Sequence, residues 1–163
     1  MQTEAINPRL VKFIIAAVIF FAWTCIQGAV MGPMHEFLQL GPAGMIQAAH
    51  SHLGCSGWTG FGLMAAIYCL LPIISGKSIV WPKLIEWIFW IFVVCVTIGS
   101  ILMIIAGVVG GSALAAGAKG PQLSSIIMLY AMPAGLLCTI SVIAGLMFVV
   151  QILVSLARSP KAA

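Results

Sequence analysis

Three histidines carry most of the metal-coordinating capacity of this chain. His35 closes an apolar run in Met31-Gly-Pro-Met-His35-Glu36-Phe37, and His50 and His52 open the next in Ala48-Ala49-His50-Ser51-His52-Leu53. An imidazole at membrane depth is costly without a partner, which makes these side chains functional candidates. Haem iron is the partner that fits best, because neutral imidazole is its common axial ligand and an apolar pocket accepts the macrocycle. Residues two apart on a regular helix are separated by about 200°. His50 and His52 therefore project from nearly opposite sides and are poorly placed to chelate one ion; the spacing suits a helix set between two partners. Gly54, Ser56, Gly57, Gly60 and Gly62 follow directly. Small residues there let either a flat porphyrin or a neighbouring helix approach the backbone, with Trp58, Phe61 and Tyr68 bordering such a group. Without a ligand, the glycines serve helix packing, His50 hydrogen-bonds or meets headgroups, and His35 rests in the interface beside Glu36. Copper held by His35, His50 and His52, with Met31, Met34 or Met45 nearby, is a further reading that suits imidazole and thioether chemistry.

The elements that position these residues follow from composition. The chain has 163 residues, of which 63% are hydrophobic and 6% charged. Soluble domains carry about 25% charged residues, and with a mean hydropathy of +1.20 this chain is an integral membrane protein. The same numbers exclude disorder, nucleic-acid binding and a secreted disulfide scaffold. The five cysteines, Cys25, Cys55, Cys69, Cys95 and Cys138, show no C-x-x-C pair and no C-x-x-C-H haem attachment site, and read as small buried hydrophobes.

A membrane-spanning helix needs about 20 apolar residues, and four such runs occur, at roughly 10–32, 49–72, 84–109 and 123–156. The expected fold is all-α, a single transmembrane domain forming a four-helix bundle. Pro133 is expected to kink the fourth span near Ala131 and Met132. Gly107 and Gly111 match a weak G-x-x-x-G packing pattern, and Glu86 is expected to pair with Lys83 across three residues. Arg9, Lys12, Lys77, Lys83, Arg158 and Lys161 fall on one side of the bundle and Lys119 alone on the other. This excess puts both termini in the cytoplasm and the first loop, about residues 33–48, with the histidines on the outer (periplasmic) face, as in a bacterial inner-membrane protein. Trp81, Trp87 and Trp90 beside Lys83 form the matching interfacial belt.

The string from His50-Ser-His52 through Gly57-Trp58 and Phe61 to Tyr68-Cys-Leu-Leu-Pro72 resembles the H-x-H helix of haem-copper oxidase subunit I, especially cbb-type oxidases and bacterial nitric oxide reductases. The whole chain resembles small single-module relatives of that subunit, with an M-G-x-x-H-[DE]-F turn before A-H-x-H. The resemblance implies that His50 binds a high-spin haem and His52 a low-spin haem, one on each face. Full enzymes of that kind have about twelve spans and a further histidine cluster for copper or non-haem iron, which three histidines in one copy cannot assemble.

The expectation is therefore a protein that binds non-covalent haem b near its outer face through His52. His50 or His35 is the second ligand, or histidines of two chains meet across an interface. Gly54, Gly57 and Trp58 contribute to the cofactor site. Electron transfer with a cytochrome or quinol partner, or binding of a diatomic gas, would follow, within lipid and as a homo-oligomer or a subunit of a larger respiratory complex. The alternative of another class is a cofactor-free accessory or assembly subunit. The charge asymmetry makes a direct prediction: a green fluorescent protein fused after the last residue fluoresces in the bacterial cytoplasm, whereas alkaline phosphatase fused there stays inactive.

Overall fold

A computed structural model describes residues 8–37 and 44–158, with side chains from Arg9 to Met31 and from Gly44 to Arg158. The described residues are helical apart from short connections: α1 Pro8–Phe37, α2 Met45–His52, a π-helical segment Leu53–Gly60, α3 Phe61–Ser75, α4 Leu84–Ala115 and α5 Gly120–Ala157. The segments from Met45 to Ser75 form one continuous span, so the fold has four helices long and apolar enough to cross a membrane. Span number and order are as expected. The loop between the first two spans is shorter than the sequence suggested, because α1 continues through Phe37 and α2 begins at Met45.

Local chemistry accounts for the ends. Pro8 starts α1 where a missing amide is harmless, and Pro121 does the same in the first turn of α5. Gly76, at φ 66°, closes α3 in the left-handed conformation that glycine adopts without steric cost. Pro133 lies inside α5, which nevertheless remains one helix from Gly120 to Ala157.

The core is aromatic. Phe13, Phe20, Phe61, Tyr68, Phe89 and Phe92 are all buried between α1, α3 and α4. Phe61 is their hub, with ring centroids 5.8 Å from Phe13, 5.6 Å from Phe20 and Phe89, and 5.2 Å from Phe92. Glycine allows the helices to close on this core. A Cβ on Gly107 of α4 would lie 2.4 Å from Ile46 Cγ1, and one on Gly57 would lie 2.9 Å from Phe20 Cβ. Gly107 thus packs α4 against the first turn of α2, and Gly57 packs the π-helical segment against α1.

Polar contacts gather at the end opposite the histidines. Glu86 is bound by Lys12 and lies 3.8 Å from Arg9. The expected Lys83 partner is replaced because the first turns of α1 and α4 lie side by side, bringing the α1 cations onto the carboxylate; Lys12 also sits 4.5 Å over the Phe89 ring. Buried Gln151 of α5 accepts from Tyr68 Oη at 2.7 Å and donates to the carbonyls of Val80 at 2.7 Å and Trp81 at 3.0 Å. Ser155 Oγ accepts from the Val80 amide at 3.0 Å. Trp81 is held at φ 47°, a left-handed conformation that costs a bulky residue roughly 1–3 kcal/mol. Trp81, Trp87 and Trp90 remain exposed at this end, as an interfacial belt requires.

The cysteines depart from expectation. Cys95 is buried and Cys138 half-buried, but Cys25, Cys55 and Cys69 lie exposed on the helix surfaces, where a thiol faces lipid at little cost. The glycine contacts predict that Gly107→Ala destabilises the fold by about 1–3 kcal/mol through overpacking. Gly62→Ala, with nothing within 4 Å of the added Cβ, leaves stability within about 0.5 kcal/mol. Reversible unfolding in mixed detergent micelles measures both.

Candidate functional site

The imidazole positions are set by α2, which is regular α-helix through His52. The helix then widens into eight residues of π-helix, Leu53–Gly60. In such a segment each amide reaches five residues back, a form that occurs mostly at functional sites. Here Leu53 is fully buried, and Gly54, Gly57 and Gly60 pack against Thr24, Phe20 and Phe92.

The two histidines face different helices, as their spacing requires. His50 turns towards α1, where a Cβ on Gly28 would meet its Cε1 at 3.0 Å. Its Nδ1 is buried without a hydrogen-bond partner among the described residues. Gln27, next to Gly28, donates from Nε2 to the Ile46 carbonyl at 3.1 Å, tying α1 to the first turn of α2. Its Oε1 is likewise buried without a partner among the described residues.

His52 turns the other way. Its Nδ1 lies 3.4 Å from Ser56 Oγ, and its Nε2 lies 3.9 Å from Cys138 Sγ of α5. With the proton on Nδ1, the imidazole donates to Ser56 and aims the Nε2 lone pair at α5. This is the arrangement of a metal-ligating histidine, whose second nitrogen is held by an outer hydrogen bond.

One iron therefore cannot take both His50 and His52 from the same chain. His35 belongs to the last turn of α1, but its side chain lies outside the described residues. Gly54 and Gly57 abut α1 side chains. Trp58 is 44% exposed, stacks obliquely on Phe21 with centroids 4.8 Å apart, and borders an apolar groove of about 370 Å³ with Ile14, Val18 and Cys69. Among the described residues, no three His, Cys, Asp or Glu side chains are grouped to hold one metal ion. Haem iron takes imidazole nitrogen as an axial donor, and the donors this chain offers are His52 Nε2, which faces Cys138 Sγ at 3.9 Å, and His50, whose Nδ1 has no partner among the described residues. The donor set thus fits haem.

Sequence reasoning missed Ser56 and Cys138 as neighbours of His52. Ser56 was detectable, since a residue four after His52 shares its helix face. Cys138 is 86 residues away and carries no local signal.

The family model of cytochrome c and quinol oxidase polypeptide I matches residues 2–134. Over 108 residues the chain is 27% identical to a cytochrome c oxidase subunit 1 homolog of Azorhizobium caulinodans. Over 103 residues it is 29% identical to a bacteroid cytochrome c oxidase subunit 1 homolog of Bradyrhizobium diazoefficiens. Each similarity takes in 63% of this chain and 18% of the relative, so the chain spans less than a fifth of the length of the curated relatives it matches. The family match stops at residue 134, so Cys138 and Gln151 lie beyond it.

Proposed function

Since this chain belongs to the cytochrome c and quinol oxidase polypeptide I family, we propose that it is a membrane b-type haem protein whose principal axial ligand is His52. The observation that carries the reading is the His52 ring itself, held at Nδ1 by Ser56 and presenting Nε2 inside the bundle. Bound there, haem supplies a one-electron couple when both axial positions are filled, or a site for NO, O₂ or CO when one stays open.

The chain's own residues prepare that site. Ser56, 3.4 Å from Nδ1, orients the His52 ring. Leu53, the next residue along from His52, is fully buried. Glu86 is engaged by Lys12 and Arg9 at the far end of the bundle, away from the imidazoles. These features support electron transfer or gas binding over a complete oxidase reaction, which needs a second metal and groups that carry protons. His50, facing α1, is the ligand for a second haem or for a neighbouring chain. The excess of Lys and Arg at the end opposite His50 and His52 supports an orientation with the imidazoles on the outer face of a bacterial inner membrane. A cytochrome or a quinol is the redox partner that this position suits.

A second reading draws on the glycines. Gly57, Gly60 and Gly107 are used for contacts within the protein, and the outer faces of α1 and α5 expose Ile26, Leu129 and Leu153 at 60% or more. Such a chain also suits an accessory subunit that presents apolar faces to a larger respiratory complex or to further copies of itself.

The two readings separate on haem content. Protein purified from cells supplied with haem is expected to show b-type absorption. Ser56→Ala is expected to weaken haem retention about tenfold, the usual cost of losing an outer hydrogen bond, and His52→Ala to abolish it. Equal haem content in wild type and His52→Ala would sink the haem reading, and co-purification of both with a larger complex would favour the accessory one.

A further inference from the structure

We infer that the groove between α1 and α4 binds one anionic phospholipid of the leaflet at the end opposite the histidines, its acyl chain along the groove and its phosphodiester at Arg9, Lys12 and Lys83. Such a site depends on membrane residence alone and goes beyond the haem reading, which it neither needs nor supports.

The groove follows from how the spans pair. α1 packs on the second span and α4 on α5, so α1 and α4 meet chiefly at their first turns, where Glu86 joins them. Beyond that junction they leave a space of about 360 Å³ on the bundle surface. Its floor is Phe20 and Phe89 of the core, and its walls are Ala16, Ile19 and Trp23 from α1 and Trp90, Val93 and Thr97 from α4.

Each wall is a helix stripe that starts on charge. On α1, Arg9 and Lys12 lead at intervals of three or four residues into Ala16, Ile19 and Trp23; on α4, Lys83 and Glu86 lead in the same way into Trp90, Val93 and Thr97. Lys83 already has helical backbone angles, φ −69° and ψ −25°, so it stands in phase with the residues that follow. The Lys12 ammonium lies 5.8 Å from the centroid of the Trp90 ring, so both stripes change from polar to apolar at one level. That level is the interface, because Trp90 belongs to the exposed tryptophan belt. From Lys12 to Trp23 the groove rises about 16 Å along α1, against about 15 Å of hydrocarbon in one leaflet. It has the length of one acyl chain, entered from the headgroup layer and ending near the bilayer midplane.

Charge selects the headgroup. A chain gains little by leaving bulk lipid for an apolar groove, so the tail alone does not discriminate. At the mouth, three cations stand against one carboxylate among the described residues. Glu86 takes Lys12 and lies 3.8 Å from Arg9, while exposed Lys83 forms no ion pair among the described residues. The surplus positive charge favours a phosphodiester with net negative charge over a zwitterionic headgroup, whose own ammonium repeats the charge already present.

The test offers full-length protein in detergent an equimolar mixture of phosphatidylglycerol and phosphatidylcholine with the same acyl chains, and native mass spectrometry reads the lipids retained. Expected is one phosphatidylglycerol held in preference to phosphatidylcholine, with a preference that falls as ionic strength rises. Arg9→Gln and Lys83→Gln should each lower it about fivefold, the contribution of one basic residue at a membrane surface. Thr97→Phe, which fills the inner end and leaves the cations in place, should lower retention of both lipids. Phosphatidylglycerol with brominated chains should quench tryptophan fluorescence in wild type, and less of that quenching should remain in the Trp23→Phe, Trp90→Phe double variant. Equal retention of the two lipids by wild type, which needs no variant to fold, would overturn the assignment. So would a preference that neither Lys83→Gln nor Thr97→Phe alters. A quinone retained in place of phospholipid would also overturn it, and would identify the groove as a quinone site.

Discussion

Helices in lipid gain little from hiding apolar surface against one another, because the surrounding acyl chains are equally apolar. Their association depends on how closely the backbones approach, and in this bundle glycine sets that approach. At Gly107 and Gly57 a single added carbon would collide with Ile46 and Phe20. The first contact fixes the start of α2 against α4, and the second fixes the π-helical segment against α1. His50 and His52 lie between those two contacts, so the direction of each imidazole is inherited from them. The H-x-H spacing gives opposite faces on any helix, but the glycine contacts determine that the faces meet α1 and α5.

A second constraint is the shortage of polar partners. Each polar group inside the bundle must find another, since lipid offers none. Glu86 is bound by the α1 cations, Tyr68 by Gln151, and the carbonyls of Val80 and Trp81 by the same glutamine. The groups left over among the described residues are His50 Nδ1, Gln27 Oε1 and Ser100 Oγ. The first two border the α1 face of the H-x-H helix, and the third lies one residue from the glycine that Cys138 packs beside. The unsatisfied polar capacity therefore collects around the histidine end, where a ligand has most to offer.

The four spans and their order were legible because apolar length alone defines them, and the family was legible in one helix because its chemistry is written contiguously. Local reasoning failed where a distant element decided the outcome. Glu86 was matched to Lys83 by spacing, but the adjacent first turn of α1 supplies closer cations. Cys25, Cys55 and Cys69 were read as interior because a cysteine usually is, yet in lipid the outside of a helix is as apolar as the inside. The π-helical segment breaks the regular phase after His52, and the sequence marks it only by a glycine at every third position. Gln151, a lone amide in an otherwise apolar run, could have been singled out by the same logic that selected the histidines. Cys138 could not, since its importance arises only from the His52 ring opposite.

The clamp of Gln151 on the loop before α4 sets an order of events in time. Val80 and Trp81 are made before the glutamine that receives their carbonyls, which follows 71 and 70 residues later. At ribosomal speeds of 5–20 residues per second, that interval is roughly 4–14 s. Within it the third span, Leu84–Ala115, is itself made, the connection before it is still held by water and headgroups, and the Tyr68 hydroxyl waits for Gln151. The last helix is therefore a latch: its arrival locks a loop that three spans of insertion leave open, and the side of α5 that closes over His52 arrives with it.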